Sequence, residues 1–348
     1  MSKSGPKAAQ DTATEEDQTN ASARKAKGEF VRGVSGFRYA IGDPDFPPER
    51  DRYHLFVAFN CPWCHRVTLA RGVLGLTNSV TMDVAFPNRT GDDHPAGPNL
   101  WEFNPDRIAS LTGERLPECT GETATGNAFK VAKQVYQADG SDEQSVPILY
   151  DKRSKRIVSN ESAEILRMLN EHASDLGSDL PARDRPDLYP KGADLRSTID
   201  ALNERIYVTI NNGAYKAGFS SDQSVYSAAY GAYFEALSWL EDLLSDGRNF
   251  LTGDSFTEAD LRLFPTLYRH DPVYFVRMKL NGARILDYPN LWRWLCRVYA
   301  LPGVAENGSL LHCRQGYFGR SWNGVVPLGP FTPMPYPEAY HHPELAVR

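Results

Sequence analysis

A cysteine pair at the start of a predicted helix constrains the fold of this chain more than any other feature. The motif Cys61-Pro62-Trp63-Cys64 follows an apolar run over residues 54–59 that predicts a buried strand, and it precedes a segment over residues 67–74 with helical apolar spacing. Proline suits the first helical turn, where a missing backbone N–H costs nothing. The free N–H groups and the dipole of a helix N-terminus favour negative charge, so Cys61 is predicted to be partly thiolate near neutral pH.

The same cysteines permit three other interpretations. A Cys-x-x-Cys motif followed by His65 is also the pattern for covalent haem attachment, but the sequence offers neither a secretion signal nor an obvious distal ligand. A structural zinc site needs a second ligand pair, and the remaining cysteines, Cys119, Cys296 and Cys313, are single and scattered. The third alternative is two half-buried cysteines in an ordinary core. We therefore expect no bound metal.

Composition limits the partners and the compartment. A chain of 348 residues is long enough for two domains with separate cores. The formal net charge of -6 gives no electrostatic basis for binding nucleic acid or an anionic membrane. No apolar run approaches the roughly 18 residues that a membrane span needs. The five cysteines contain only one close pair and do not form a disulfide framework, which predicts a reducing compartment, the cytoplasm.

The order of predicted elements indicates an α/β domain followed by an all-α domain. After the first strand and helix come a strand over residues 79–86, a polar loop over 87–126, a helix over 129–136, strands near 145–151 and 156–158, and a helix capped by Ser159 or Asn160. Pro147 must lie at a strand start or an edge. This order is that of a thioredoxin-like domain. We predict a disordered tail (1–28), this domain (29–173), a linker (174–190), a helical domain (191–330) and a C-terminal tail (331–348).

The second half of the chain has helical periodicity throughout. Residues 257–260, Thr-Glu-Ala-Asp, form a capping box in which Thr257 and Asp260 each satisfy a free backbone N–H at a helix start. An aromatic cluster, Tyr226, Tyr230, Tyr233 and Phe234, is either part of the internal core or an anchor for a dimer.

Several separated sequence blocks carry a family resemblance. In the first domain they are Cys61-Pro62-Trp63, Val146-Pro147 and Asn160-Glu161-Ser162; in the second they are Asn-Asn-Gly-Ala-Tyr-Lys-Ala-Gly-Phe at 211–219, residues 257–264 and residues 287–291. With these blocks the chain resembles the glutathione transferase superfamily over about residues 28–330. More narrowly, it resembles the xi class, the glutathionyl-hydroquinone reductases, of which the 211–219 string is characteristic.

The resemblance implies a role for each matching residue on the thiol side of the site. Cys61 matches the catalytic cysteine, and Trp101 matches a tryptophan that packs over glutathione. Val146, before a cis Pro147, would pair its backbone with the cysteinyl group of glutathione. Glu161 and Ser162 would hold the γ-glutamyl end at a helix N-terminus. Plain helix capping by Glu161 and Ser162, and ordinary packing of Trp101, remain open as alternatives.

On the substrate side, Tyr215 matches a tyrosine that faces the quinol, and Tyr317 is the best match for a second one. The resemblance also implies a homodimer, glutathione or a related γ-glutamyl thiol as cosubstrate, and a quinol conjugate as substrate. Two positions depart from the family: Cys64 replaces the usual alanine, and Lys133 or Lys130 replaces an arginine that contacts glutathione. Lysine keeps the charge but lacks the bidentate fork.

The predicted reaction is glutathione-dependent reduction of glutathionyl-hydroquinones through a mixed disulfide on Cys61. Cys64 is either a resolving thiol for that disulfide or a buried stand-in for alanine whose sulfur fills space behind the helix. Two alternatives use the same cysteine. One is an omega-type thiol transferase or dehydroascorbate reductase. The other is a non-catalytic protein that binds a thiol ligand or senses redox state.

Overall fold

A four-stranded mixed sheet forms the centre of the first domain in the computed structural model, which describes residues 25, 27–113, 129–319, 324–327 and 329. The strands are β1 (Tyr53–Val57), β2 (Thr81–Val84), β3 (Ile148–Asp151) and β4 (Arg156–Ser159), in the spatial order β2-β1-β3-β4. β1 pairs in parallel with β2 and antiparallel with β3, and β3 pairs antiparallel with β4. Nearly every strand residue is buried, because helices and loops cover both faces.

The described helices of this domain are α1 (Pro62–Val73), α2 (Pro105–Thr112), α3 (Ala132–Ala138) and α4 (Ser162–Glu171). α1 is the crossover between the parallel strands β1 and β2, and it packs against α4. The predicted thioredoxin-like order is thus confirmed. The prediction of an unbroken loop over 87–126 is wrong, because Asn104 accepts a hydrogen bond from the Arg107 N–H at 3.1 Å and begins α2.

The cap of α4 also differs from expectation. Glu161, rather than Ser159 or Asn160, is the N-cap, and its carboxylate accepts a hydrogen bond from the Ala163 N–H at 3.0 Å. The Asn160 side chain is engaged elsewhere, because its oxygen accepts from the Phe37 N–H and its nitrogen donates to Glu143. Asn160 therefore links residue 37, near the start of the domain, to the segment before β3, and it does not cap the helix.

The second domain is helical throughout its described residues. Its helices are α5 (Ala193–Ile206), α6 (Asn212–Phe219), α7 (Gln223–Leu243), α8 (Glu258–Arg269), α9 (Phe275–Arg277), α10 (Pro289–Tyr299) and α11 (Leu310–Phe318), with 3-10 turns at Ile285–Asp287 and Ala305–Asn307. The predicted capping box is confirmed at the start of α8, where the Thr257 N–H donates to Asp260 at 3.1 Å. No helix in the described part of the chain is long and apolar enough to cross a membrane.

Two π-helical turns interrupt this domain, at Tyr207–Asn211 between α5 and α6 and at His270–Tyr274 between α8 and α9. Such turns shift the side chains that follow them around the helix and are frequent at functional sites. The first of them lies next to the first domain: Asn211 accepts a hydrogen bond from Arg66 of α1 at 2.6 Å, and the ring of Tyr207 lies 6.0 Å from that of Trp63.

The aromatic cluster on α7 divides between the two roles considered above. Tyr233 is fully buried and hydrogen-bonds His270 at 2.8 Å. It therefore belongs to the internal core and is not available to a second copy of the chain. Tyr226, Tyr230 and Phe234 are only half-buried.

Candidate active site

The register of the sheet brings Cys61 next to Val146. Phe56, near the end of β1, pairs with Ile148, the first residue of β3. Val146 lies just before β3 and forms a cis peptide bond with Pro147. Cys61 lies just after β1 as the N-cap of α1, with its Sγ 3.7 Å from the Val146 carbonyl oxygen.

Cys61 is half-buried and is the most acidic thiol of the site. Burial opposes its ionisation. Hydrogen bonds from the Cys64 thiol and from the backbone N–H groups of Cys64 and Trp63, together with the positive charge of Arg269, outweigh that effect and lower the pKa of Cys61 to about 6. Cys61 is therefore largely thiolate at neutral pH.

Cys64 lies one turn further along α1 and is completely buried. Burial, the hydrogen bond to Cys61 and the negative charge of Cys61 raise the pKa of Cys64 well above its ordinary value. Cys64 thus stays protonated and donates to the Cys61 sulfur. The two thiols of the motif have opposite protonation states, and one stabilises the other.

Arg269, at the end of α8, is a fully buried cation beneath the site. Its guanidinium donates to the carbonyl oxygens of Phe59 and Pro265, each at 2.7 Å, and to His65 Nδ1 at 2.8 Å. No carboxylate of the described residues forms an ion pair with it. Desolvation disfavours this charge, so the thiolate of Cys61 is one of the few groups that can compensate it.

A cleft with two lobes opens at Cys61. The tyrosine lobe has a volume of about 480 Å³, and it is lined by Cys61, Trp101, Tyr215, Phe219, Arg277 and Tyr317 among others. The serine lobe has a volume of about 470 Å³, and it is lined by Glu143, Pro147, Asn160, Glu161, Ser162 and Tyr207 among others. Arg32, Trp63, Arg89 and Val146 line both lobes, so the two form one continuous cleft.

The structure places nine of the ten predicted site residues in the cleft lining or directly behind Cys61. Cys61, Trp101, Val146, Tyr215 and Tyr317 line the tyrosine lobe, Val146, Pro147, Glu161 and Ser162 line the serine lobe, and Cys64 lies directly behind Cys61. The roles of these residues in binding and catalysis stay predictions.

The structure does not bring Lys133 or the alternative, Lys130, to the cleft. Lys133 lies on α3 and lines neither lobe. Lys130 is exposed, and its carbonyl accepts a hydrogen bond from the Phe103 N–H at 2.8 Å, which holds it beside a separate cavity. The cations that do line the cleft are arginines. Arg89 lies 3.5 Å from the ring centroid of Trp101, and Arg32 lies 3.7 Å from that of Trp63.

Three tyrosine hydroxyls meet at the edge of the tyrosine lobe, which Tyr215 and Tyr317 line. The hydroxyl of Tyr317 lies 2.6 Å from that of Tyr215 and 3.2 Å from that of Tyr274. Burial raises the pKa of Tyr215 to about 12, and it raises the pKa values of Tyr274 and Tyr317 well above the usual range. All three hydroxyls are therefore protonated at neutral pH and can donate hydrogen bonds or protons.

Comparison with known proteins places this fold and cleft in a family. Residues 60–172 match the model of the glutathione S-transferase N-terminal domain, and residues 223–297 match that of the C-terminal domain. The chain is 38% identical over 324 residues to the glutathionyl-hydroquinone reductase PcpF of Sphingobium chlorophenolicum, covering 90% of this chain and 93% of PcpF. It is 36% identical to the crystal structure of glutathione-S-transferase Xi from Phanerochaete chrysosporium, with a TM-score of 0.73, covering 86% of this chain and 97% of that one.

The chain belongs to the xi class of glutathione transferases. A further relative is YqjG of Escherichia coli K-12, a glutathione transferase homologue with a glutathione-bound structure. Its sequence is 38% identical to this chain, with a TM-score of 0.72, and the match covers 88% of this chain and 96% of YqjG.

Sequence reasoning missed three arginines that line this xi-class site, Arg32, Arg89 and Arg277. It also missed Tyr274 behind Tyr317 and Arg269 beneath the site. Arg89 and Arg32 lie in stretches without regular periodicity, and Tyr274 follows a π-helical turn that no periodicity argument anticipates. The one available signal was the density of arginine and aromatic residues over 268–277, which marks neither an exposed helix face nor a plain core.

Proposed function

We propose that this xi-class transferase is a glutathionyl-hydroquinone reductase. The observation that carries the proposal is the juxtaposition, in one cleft, of an acidic Cys61 thiol and the hydroxyl pair of Tyr215 and Tyr317. Relatives at 38% identity, PcpF and YqjG, are named for this activity. The cosubstrate is glutathione or a related γ-glutamyl thiol, and the substrate is its conjugate with a hydroquinone.

In this proposal the serine lobe holds the glutathionyl part of the conjugate. Glu161 and the buried Ser162, at the start of α4, hold the γ-glutamyl end, where the helix N-terminus favours its carboxylate. Val146, next to the Cys61 sulfur, pairs with the cysteinyl backbone. Trp101 lines the tyrosine lobe and stacks on Arg89, which lines both lobes, so in this proposal it packs over the peptide where the lobes meet. Arg89 offers a cation for a glutathione carboxylate.

The chemistry is an exchange at sulfur. The Cys61 thiolate attacks the glutathionyl sulfur, a Cys61–glutathione disulfide forms, and the sulfur–carbon bond to the ring breaks. The electron pair of that bond passes to the ring carbon, which takes up a proton and leaves as the hydroquinone. A second glutathione thiolate then attacks the mixed disulfide, releasing glutathione disulfide and regenerating the Cys61 thiolate.

The tyrosine hydroxyls supply the proton that the ring carbon needs. A carbanion is a poor leaving group, so a positioned acid lowers the barrier. Tyr317 lies between Tyr215 and Tyr274, which lets a proton lost from Tyr215 or Tyr317 be replaced through the neighbouring hydroxyl.

Steady-state turnover separates this proposal from its two rivals. We expect the wild type to reduce a glutathionyl-hydroquinone, with one glutathione disulfide formed per hydroquinone released, and to act at least about tenfold more slowly on dehydroascorbate and on a small mixed disulfide. A preference for dehydroascorbate would favour an omega-type enzyme. Absence of turnover with all three, despite glutathionylation of Cys61, would favour a redox sensor.

We also propose that the protein acts as a homodimer in the cytoplasm. The half-buried aromatic residues Tyr226, Tyr230 and Phe234 on α7 offer apolar surface for a contact, and the cysteine chemistry requires a reducing compartment. Sedimentation velocity at micromolar concentration should show a dimer, and a monomer there would contradict the assembly without affecting the reductase proposal.

A further inference from the structure

The cations of the cleft are distributed unequally between its lobes. Arg32 and Arg89 line both lobes, whereas Arg277 lines only the tyrosine lobe, together with Tyr215, Phe219 and Tyr317. The residues proposed for the γ-glutamyl end, Glu161 and Ser162, line only the serine lobe. When the glutathionyl part occupies the serine lobe, the ring therefore lies on the side of Arg277.

A hydrogen bond holds one edge of the Arg277 guanidinium in place. Its Nε donates to the Tyr317 carbonyl oxygen at 3.1 Å, and its Cζ lies 5.8 Å from the ring centroid of Phe219. It is half-buried and projects from the short helix α9, directly after the π-helical turn that carries Tyr274. The terminal nitrogens have no ion-pair partner among the described residues. A partly desolvated guanidinium held this way is suited to bind a carboxylate in bidentate fashion.

Glutathione itself does not account for Arg277. Its carboxylates are part of the glutathionyl group, for which the cleft already provides Arg32 and Arg89 near the serine lobe. Arg32 stacks on Trp63 and Arg89 stacks on Trp101. Arg277 instead donates a hydrogen bond to the backbone of Tyr317, the tyrosine proposed to face the ring. A neutral hydroquinone would leave the Arg277 guanidinium without a partner in the occupied lobe.

We propose that Arg277 recognises an anionic substituent on the aromatic ring, so that the preferred substrates are glutathionyl-hydroquinones that carry a ring carboxylate. This inference rests on the proposed function and narrows its substrate class. In the bound conjugate the carboxylate accepts hydrogen bonds from the free edge of Arg277. The Nε contact to the Tyr317 carbonyl couples binding of the substituent to the placement of the tyrosine hydroxyl.

The test compares two conjugates that differ only in charge: glutathionyl-2,5-dihydroxybenzoate and the corresponding glutathionyl-2,5-dihydroxybenzamide. We expect the wild type to prefer the carboxylate in kcat/KM by at least about tenfold. Because a hydrogen bond to a charged group is being removed, Arg277→Ala should lower the carboxylate-to-amide ratio of kcat/KM by about 10- to 100-fold. Arg277→Lys should retain part of the preference, since it keeps the charge and loses the fork.

Two control variants isolate the charge at this position. Arg277→Gln keeps a side-chain N–H donor for the Tyr317 carbonyl while removing the cation, so its kcat/KM values for the carboxylate and the amide should become similar. Arg183→Ala removes an exposed cation whose ion pair is with the adjacent Asp184, and it should change neither rate. The wild-type preference should also weaken as salt rises, whereas the rates of Arg277→Gln should be less sensitive to salt.

Several outcomes overturn the inference while leaving the reductase proposal intact. These are a wild type that turns over both conjugates without preference, Arg277 variants that slow both conjugates equally, and variants whose only change is a raised KM for free glutathione. Absence of turnover with either conjugate would instead refute the reductase proposal. In that case, calorimetric binding of free 2,5-dihydroxybenzoate against the benzamide still decides the role of Arg277, with a loss of carboxylate selectivity in Arg277→Ala supporting it and equal affinities in the wild type refuting it.

Discussion

The two walls of the cleft are built in different ways. The wall from the first domain places Cys61, Val146 and Ser162 at the ends of strands and the starts of helices, where strand pairing sets their positions. The wall from the second domain places Tyr215 against Tyr317, 102 residues apart in sequence, through the packing of separate helices. Thiolate formation thus depends mainly on local backbone geometry, and handling of the ring depends on tertiary packing.

Arg269 connects the two walls. It belongs to the second domain, yet its guanidinium holds the Phe59 carbonyl two residues before Cys61 and the ring of His65 in α1. Its charge favours the thiolate on one wall, and it lies close enough to the tyrosines to act on their ionisation as well. The functional separation between the two walls is therefore incomplete.

The largest effect is expected at the first wall. Cys61→Ser replaces the thiol with a hydroxyl of much higher pKa, so reductase activity should fall by at least about a thousandfold while the fold is retained. Mass spectrometry of the wild type after one turnover should find glutathione on Cys61. Retention of more than about a tenth of the activity in the serine variant, with unchanged circular dichroism, would refute the mixed-disulfide mechanism.

The second wall should matter for the ring and little for the thiol. Tyr317→Phe removes the central hydroxyl of the three, and kcat for the conjugate should fall by about 100-fold, within the usual range for loss of an acid catalyst. Alkylation of Cys61 by iodoacetamide should keep its rate. Tyr274→Phe is the matched control, because it removes a hydroxyl that reaches the cleft only through Tyr317, and its effect should be smaller. An equal loss of kcat in both variants would argue against Tyr317 as the hydroxyl that acts on the ring and Tyr274 as its neighbour behind it.

A third prediction addresses the link between the walls. Since the Arg269 cation helps to lower the pKa of Cys61 to about 6, Arg269→Met should move that pKa toward its ordinary value near 8.5. The thiolate fraction rises as pH rises through the pKa, so the alkylation profile of Cys61 should shift to higher pH and its rate at pH 7 should fall by a few-fold.

Arg269→Lys serves as the matched variant for that measurement. It keeps the charge and loses the fork that binds two carbonyl groups, so the midpoint should move less than in Arg269→Met. Thermal unfolding of both variants checks that they fold. A folded Arg269→Met protein with a midpoint still near 6 would show that the second wall does not contribute to the thiolate.

The contrast between the walls also explains what the sequence could predict. Cys61 follows from a short-range pattern, an apolar run before a Cys-Pro turn, and the strand after Pro147 and the helix after residue 161 follow from local patterns as well. The local pattern placed the cap of that helix on Ser159 or Asn160 instead of Glu161, and the binding roles of Val146 and Glu161 came from resemblance to a family. Tyr215 and Tyr317 came only from resemblance to a family. Nothing local indicates that two hydroxyls over 100 residues apart lie within hydrogen-bonding distance.

The cations were harder to predict than the cysteines. The family resemblance predicted Lys133 or Lys130 as the glutathione contact, but neither lysine lines the cleft. The Lys130 carbonyl accepts from the Phe103 N–H beside a separate cavity, and the cation on Trp101 is Arg89. Arg269 and Arg277 sit in a helical stretch where arginine normally marks the solvent-facing side. The π-helical turn at His270–Tyr274 lies between them and breaks the 3.6-residue period from which their orientation would be inferred.

The smallest effect on turnover is expected at Cys64. Its buried thiol donates to the Cys61 sulfur, so Cys64→Ala should raise the pKa of Cys61 above about 6 and lower the alkylation rate at pH 6 by a few-fold. Cys64→Ser keeps a donor of similar size and should restore most of the wild-type profile. This role differs from that of a resolving thiol, which predicts that Cys64→Ala prolongs the mixed disulfide and makes turnover depend more steeply on free thiol.

Peptide mapping after one turnover with limiting thiol decides between the two roles of Cys64. A resolving thiol must itself be deprotonated to attack, whereas burial and the neighbouring thiolate raise the pKa of Cys64 well above its ordinary value. We therefore expect glutathione on Cys61 and no Cys61–Cys64 disulfide, with Cys64→Ser matching the wild type in its dependence on free thiol. Accumulation of the Cys61–Cys64 disulfide, together with loss of fast turnover in both Cys64 variants, would show instead that Cys64 resolves the mixed disulfide.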